Sequence, residues 1–364
     1  MAKNNFRSLL CAILVLIGCV MQAGTLPYWL NSFAADTGGA FFVILFPVLF
    51  TIITMVIPTF IIKFVKKYKT PSLKECTKNF IFQGFTGQLC AILVVYAASI
   101  NRTPPVFFTI LTNTGVFWSI ITRLLFVREK KINYCSPKPI ISLLLLLTAI
   151  CIMVTTKIIY ETSINNLNIL SFFFALCVVI GVFFGTIYNT LQEKYMNTVN
   201  TNIIFTKNDK KYNILYVVAW SYIWQLVFII LFFWTDILPN FGYSTIDTFF
   251  PKIGRSFSCY IGFNGCGYKN FLFGTTYSLG YVLASITAGI LNDVSASFTM
   301  YVSALKSPIC SIIFLIVGIG INSTPIYAVI PTLLLMFIGI CFWNWWETTR
   351  NNKKVIPIEL LSPV

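Results

Sequence analysis

A lysine stands where a membrane helix least tolerates one. Lys306 lies in Ser303-Ala304-Leu305-Lys306-Ser307-Pro308, near the middle of an apolar run from about residue 297 to 321. Carrying a charge to that depth costs about 2.5–3.5 kcal/mol on insertion scales, so such a residue normally faces a water-filled cavity or a partner. Ser307 follows it directly. A second polar cluster, Thr109, Thr112, Asn113 and Thr114, sits in an earlier apolar stretch, and Gln225 in a third. An ammonium in a low-dielectric chamber attracts anions and repels cations, and the hydroxyls and amides add hydrogen bonds. Lys306, Ser307, Thr112, Asn113 and Gln225 are therefore the candidate binding residues for a small-molecule solute carrying a carboxylate. A second reading stands beside this one: Lys306 snorkels, or bonds carbonyls freed by Pro308, and meets no solute.

The same inventory excludes other chemistry. The chain has no His, which removes the commonest metal ligand and the usual proton shuttle near neutral pH. No paired Asp, Ser/His arrangement, metal-ligand set or nucleotide-binding glycine loop occurs in the spans, so neither enzymatic activity, a cofactor nor a metal is expected. A net charge of +15 suggests nucleic acid, but the basic residues sit between apolar runs. Membrane topology accounts for them, and the expected surroundings are lipid rather than nucleic acid.

The elements that must position Lys306 follow from hydropathy. With 57% hydrophobic and 10% charged residues among 364, and a mean hydropathy of +0.81, the chain reads as an all-α integral membrane protein. About twenty apolar residues cross a bilayer. By that rule ten spans fall near 9–30, 39–62, 79–99, 104–126, 137–159, 168–191, 213–237, 270–291, 297–321 and 324–345. The first run is read as a retained helix, not a signal peptide. With the N-terminus in the cytosol, only Arg102, Lys157, Lys252, Arg255 and Lys269 fall on the opposite face and Lys306 within a span. The rest of the 26 Lys and Arg, Arg123 among them, lie in cytosolic segments, as the positive-inside rule expects when both termini are cytosolic.

Ten spans suggest two inverted five-helix repeats: 1–160, then 161–346 with a non-cytosolic loop at 238–269, then a cytosolic tail at 347–364. In this scheme spans four and nine are counterparts, and their polar clusters point to one midplane chamber. Cys259 and Cys266 share the non-cytosolic loop, where the compartment permits a disulfide; a bridge or two free thiols are the alternatives. Gln83, Gln88, Gln225 and Asn189 either line the chamber or tie helix to helix. Gly84, Gly87, Gly181 and Gly185 read as packing points, and Trp343, Trp345 and Trp346 as an interfacial belt.

Three stretches carry a resemblance. They are Cys259 through Cys266 leading into Phe273-Gly274-Thr275, then Asn292-Asp293-Val294-Ser295-Ala296-Ser297 with Ser303 and Pro308, and Pro104 through Thr114 to Phe117. Over roughly residues 75–345 the chain resembles the chloroquine-resistance-transporter-like branch of the drug/metabolite transporter superfamily. The resemblance implies ten spans in two repeats around a cavity open alternately to each side. It also implies a carrier of glutathione-like thiol peptides, amino acids, short peptides or amphipathic drugs in a vacuolar, lysosome-like or plastid membrane. The chain departs from that pattern in having only two loop cysteines and in placing Lys306 where relatives tend to be uncharged. Together with the chamber residues this leads to a secondary transporter as the expected function, proton-coupled or exchanging. A carrier of nucleotide-sugars or other phosphorylated metabolites, and a non-transporting membrane receptor, are the alternatives. The plasma membrane is the alternative site.

Overall fold

The structure is a computed structural model. It describes residues 2–33, 39–68, 70, 73–127, 136–163, 169–202, 207–239, 241–242, 244–293, 295–317 and 326–354. Residues 355–364 of the expected tail lie outside the described residues. Among the described residues the protein is helical without a strand: α1 (Ala2–Asn31), α2 (Ala40–Thr51), α3 (Ile57–Lys66), α4 (Leu73–Ala97), α5 (Pro105–Leu111), α6 (Gly115–Phe126), α7 (Pro137–Ser163), α8 (Ile169–Asn202), α9 (Lys207–Leu231), α10 (Ile246–Tyr260), α11 (Gly267–Asn292), α12 (Ala296–Ala304), α13 (Lys306–Val317) and α14 (Ile326–Lys354). Nine stretches of described residues are long and apolar enough to cross a bilayer, from Leu9–Asn31 to Ala296–Phe314, and a shorter apolar stretch, Tyr327–Trp343, lies in α14. The chain is an all-α, multi-pass membrane protein.

Three spans are interrupted, each for a local reason. Pro58 cannot donate back to Thr54, and a π-helical turn, Ile52–Val56, joins α2 to α3. Between α5 and α6 a 3₁₀ turn, Thr112–Thr114, accompanies hydroxyls that bond carbonyls three residues back: Thr112 Oγ1 donates to Thr109 O at 2.7 Å and Thr114 Oγ1 to Leu111 O at 2.8 Å. In span nine Pro308 lacks the N–H owed to Ala304, and its ring crowds that carbonyl. The helix breaks at Leu305, whose N–H bonds Val302 O at 3.2 Å, and α13 restarts at Lys306.

Helices approach to backbone distance where glycine allows it, as the small-residue spacing predicted. A Cβ on Gly84 of α4 would lie 2.4 Å from Trp224 Cβ of α9, and one on Gly181 of α8 would lie 2.9 Å from Val94 Cγ2 of α4. Helix α1 runs against α11, where a Cβ on Gly280 would lie 2.6 Å from Met21 Cβ. Helices α7 and α14 pair through Ser142 Oγ donating to Gly339 O at 2.6 Å. Spans four and nine lie side by side, with Thr109 and Ser311 hydroxyls 3.5 Å apart and Gly115 beneath Met300.

Two expectations change. The segment before α11 is not an open loop but carries α10, a helix of 15 residues begun by a Thr245–Thr248 capping box. Pro251 and Gly254 hide it from propensity, yet its inner face packs on α2, with ring centroids 5.0 Å apart for Phe41–Phe249 and 4.3 Å for Phe46–Tyr260. Cys259 and Cys266 do form a disulfide, closing a turn in which Gly262, Asn264 and Gly265 take positive φ. The belt reading fails for Trp343, which is buried and stacked 4.0 Å from Tyr301 of α12, whereas Trp345 is exposed under Lys138. Two residues of helix turn the side chain by about 200°, so neighbouring tryptophans in one cluster face opposite ways.

Candidate functional site

A cavity of about 270 Å³ lies inside the bundle, lined from α1, α2, α4, α8, α9 and α11. Its polar surface is Gln22, Tyr188, Asn189, Gln192, Tyr222, Gln225, Tyr281 and Ser285, with Val43, Ile44, Ala91 and Val94 among the apolar wall. A recess of about 110 Å³ adjoins it, lined by Cys19, Phe108, Thr112 and Lys306. Gln22, Val94 and Tyr277 belong to both linings, so the two spaces share a wall. Among the described residues, neither lining contains Asp or Glu.

Local structure explains the recess. The breaks in spans four and nine place Thr112 at the start of the 3₁₀ turn and Lys306 at the start of α13. Both breaks interrupt regular helical hydrogen bonding inside an apolar span, which is tolerated where the backbone borders a cavity or other protein. Lys306 is half-buried and makes no hydrogen bond or ion pair with another described residue. The carbonyl-bonding alternative is therefore not what this side chain does here.

The polar groups of the main cavity are organised among themselves. Gln192 Nε2 donates to Tyr188 Oη at 2.7 Å, Tyr281 Oη donates to Gln225 Oε1 at 3.2 Å, and Ser285 Oγ donates to Tyr281 O at 2.6 Å. The Tyr222 and Ser285 hydroxyls are bonded to each other. Such bonds fix rotamers while leaving further lone pairs and N–H groups for a guest.

Of the five predicted binding residues, the fold gathers three around these spaces. Lys306 and Thr112 share the recess, and Gln225 lines the main cavity. Asn113 and Ser307 line neither: Asn113 is buried and donates to Met336 Sδ at 3.1 Å, and the Ser307 hydroxyl is buried in the packing around α13. Each is one helical step, about 100° in an α-helix and about 120° in a 3₁₀ turn, past the residue that faces the space. Asn189 lines the cavity, whereas Gln83 accepts from Ser221 Oγ at 2.6 Å and ties α4 to α9. Gln88 is buried off both spaces.

The residues the sequence reading missed are chiefly tyrosines, with Gln22, Gln192 and Ser285 beside them. Tyr188, Tyr222, Tyr277 and Tyr281 all face the cavity. A signal was present: Tyr277, Tyr281 and Ser285, and again Tyr188 and Gln192, recur at the four-residue spacing that lines one helix face. Arg123 was also misplaced among the loop charges. It is 3% exposed and donates from Nη2 to Glu193 Oε1 at 2.7 Å, with Glu193 2% exposed. A scan against models of known protein families finds no match to this chain, and a search of curated proteins finds none either.

Proposed function

We propose that the protein is a secondary carrier moving small organic solutes, with at least one anionic group, across a membrane by alternating access. The observation that carries this is the mid-bundle polar cavity whose neighbouring recess holds Lys306, with no carboxylate among the described residues of either lining. The solute's carboxylate occupies the recess against Lys306 and Thr112, and its neutral body lies among the tyrosines and Gln225. Glutathione, acidic peptides and amino acids fit this better than cationic drugs, because an unpaired ammonium in a low-dielectric space repels cations. In this reading Tyr327–Trp343 is a tenth span, the spans form two inverted repeats, and the breaks in spans four and nine are symmetry-related. Both termini lie in the cytosol of a vacuolar or lysosome-like membrane, and the carrier is similar to the chloroquine-resistance-transporter-like branch.

Purified protein in proteoliposomes tests this, with labelled glutathione, an inside-acid gradient present or absent, and competing acidic, neutral and basic peptides. Saturable uptake inhibited best by anions is expected. Lys306→Gln should weaken anion competition roughly ten- to hundredfold, the loss of a charge-assisted hydrogen bond worth about 1.5–3 kcal/mol. Unchanged anion preference in that variant overturns the role of Lys306. Counterflow driven by nucleotide-sugars instead of glutathione moves the substrate to the phosphorylated class, and no flux with any solute favours a receptor.

A further inference from the structure

On the side where α8 finishes and α9 begins, the wall of the main cavity joins a set of bonds that links four helices. Asn189 and Gln192 form part of the cavity wall. Asn292, the last residue of α11, donates from Nδ2 to Asn189 Oδ1 at 2.9 Å and to Gln192 Oε1 at 2.8 Å. One residue further along α8, Glu193 divides its carboxylate between spans four and nine, two of the three interrupted spans. Oε1 accepts from Arg123 in the last turn of α6, at 2.7 Å, and Oε2 accepts from the backbone N–H of Ala296, at 2.9 Å. Ala296 opens α12, so the carboxylate also sits at the positive end of that helix.

We propose that Glu193 is the positioning residue of the gate that closes the cavity toward this end, a proposal that rests on the carrier reading above. Three observations converge on it. Helices α6 and α12 are each separated from the outer half of their span by a break, at Thr112–Thr114 and at Leu305, so they can tilt while α5 and α13 stay packed. The bond that holds them together is a buried ion pair, and such a pair is compensated only while its geometry is intact. Parting α6 and α12 from α8 admits water to both charges, which restores their hydration; the contact therefore has two stable conditions rather than a graded series. The bonds beside it, from Asn292 to Asn189 and Gln192, lie on the cavity wall itself, so opening the gate uncovers the cavity. Glu193 touches no solute in this arrangement. It acts through Arg123, Ala296 and the α11–α12 turn.

The experiment reads the side from which the cavity is reached, using thiols already present. Cys90 lines the main cavity and Cys19 the recess. Full-length protein in oriented proteoliposomes is treated with a membrane-impermeant maleimide from either side, and labelling of Cys19 and Cys90 is followed by peptide mass analysis. Glu193→Gln is expected to raise labelling from the Glu193 side at least threefold and lower it from the opposite side, while Glu193→Asp falls between. A rise from both sides alike means a merely structural role and overturns the proposal, as does unchanged labelling in a variant whose thermal midpoint stays near wild type. Should Glu193→Gln fail to fold, Arg123→Lys keeps the cation but loses the fork geometry, and the same one-sided rise is expected of it. Labelling needs no transported solute. A side-specific shift without glutathione flux therefore leaves the gate standing and removes only the substrate assignment, whereas flux without a shift removes the gate alone.

Discussion

The two ends of the bundle are closed by different materials. At the Glu193 end the seal is polar: an ion pair, a capped helix N-terminus and amide bonds, all among side chains that water can solvate equally well once they part. At the disulfide end the seal is aromatic. Trp29, Phe42, Phe46, Phe257 and Tyr260 interlock, with centroids 4.9 Å apart for Phe42–Phe257 and 6.2 Å for Trp29–Phe42. Trp29 Nε1 donates to Asn270 Oδ1 at 3.0 Å, and Asn270 Nδ2 reaches Cys259 Sγ at 3.5 Å, which ties α1 to the disulfide. Tyr96 Oη donates to the buried Asp236 carboxylate at 2.7 Å on the same side. Polar contacts exchange partners with water at little net free energy, whereas parting packed rings exposes apolar area with nothing to replace it. One end is built to separate and the other to hold.

The comparison breaks or sharpens by experiment. The largest effect is expected at the aromatic end: Trp29→Ala removes a buried ring at a cost of about 3–5 kcal/mol and strands Asn270, so thermal unfolding in detergent should fall steeply. If Trp29→Ala leaves the unfolding midpoint near that of the wild type, the contrast fails. Next comes Arg123→Met, which leaves Glu193 buried without its cation at a cost of about 3–5 kcal/mol. Combined with Glu193→Leu, the double variant should be less destabilised than the two single changes added together, because the stranded charge is gone. An additive double-mutant cycle would show the pair uncoupled. Third, Cys259→Ser with Cys266→Ser should cost about 2–3 kcal/mol, since the closed loop is short, and should leave solute flux within about twofold. A tenfold loss of flux would mean the turn moves during transport. The smallest effect is Thr245→Ala, about 1 kcal/mol from the capping box of α10, visible as faster proteolysis ahead of α10 with the rest of the bundle intact.

Much of this architecture was legible because a bilayer imposes a one-dimensional rule. Apolar length places the spans, and Pro308 marks the break beside Lys306 before any packing is known. The threonines of span four announced the other break less openly, since their back-bonding depends on rotamer. The candidate site was legible at Lys306, Thr112 and Gln225 and missed elsewhere for one geometric reason. Residue type says that a side chain is polar, not which way it points. Asn113 and Ser307 lie one position past residues that face the recess, and turn into packing. Helix α10 escaped notice because Pro251 and Gly254 lower its propensity, and its packing on α2 and α11 repays that cost.

The sequence by itself determined the class of molecule, nine of its apolar spans and a cation inside one of them, because hydrophobic length and the cost of a buried charge act on each segment separately. The tertiary structure alone decided that Tyr188, Tyr222, Tyr277 and Tyr281 share one cavity and that Glu193 holds Arg123 and Ala296 together. Those groups lie far apart in sequence, and their meeting depends on the rotation and antiparallel pairing of whole helices, which side-chain packing between helices sets and no single segment encodes.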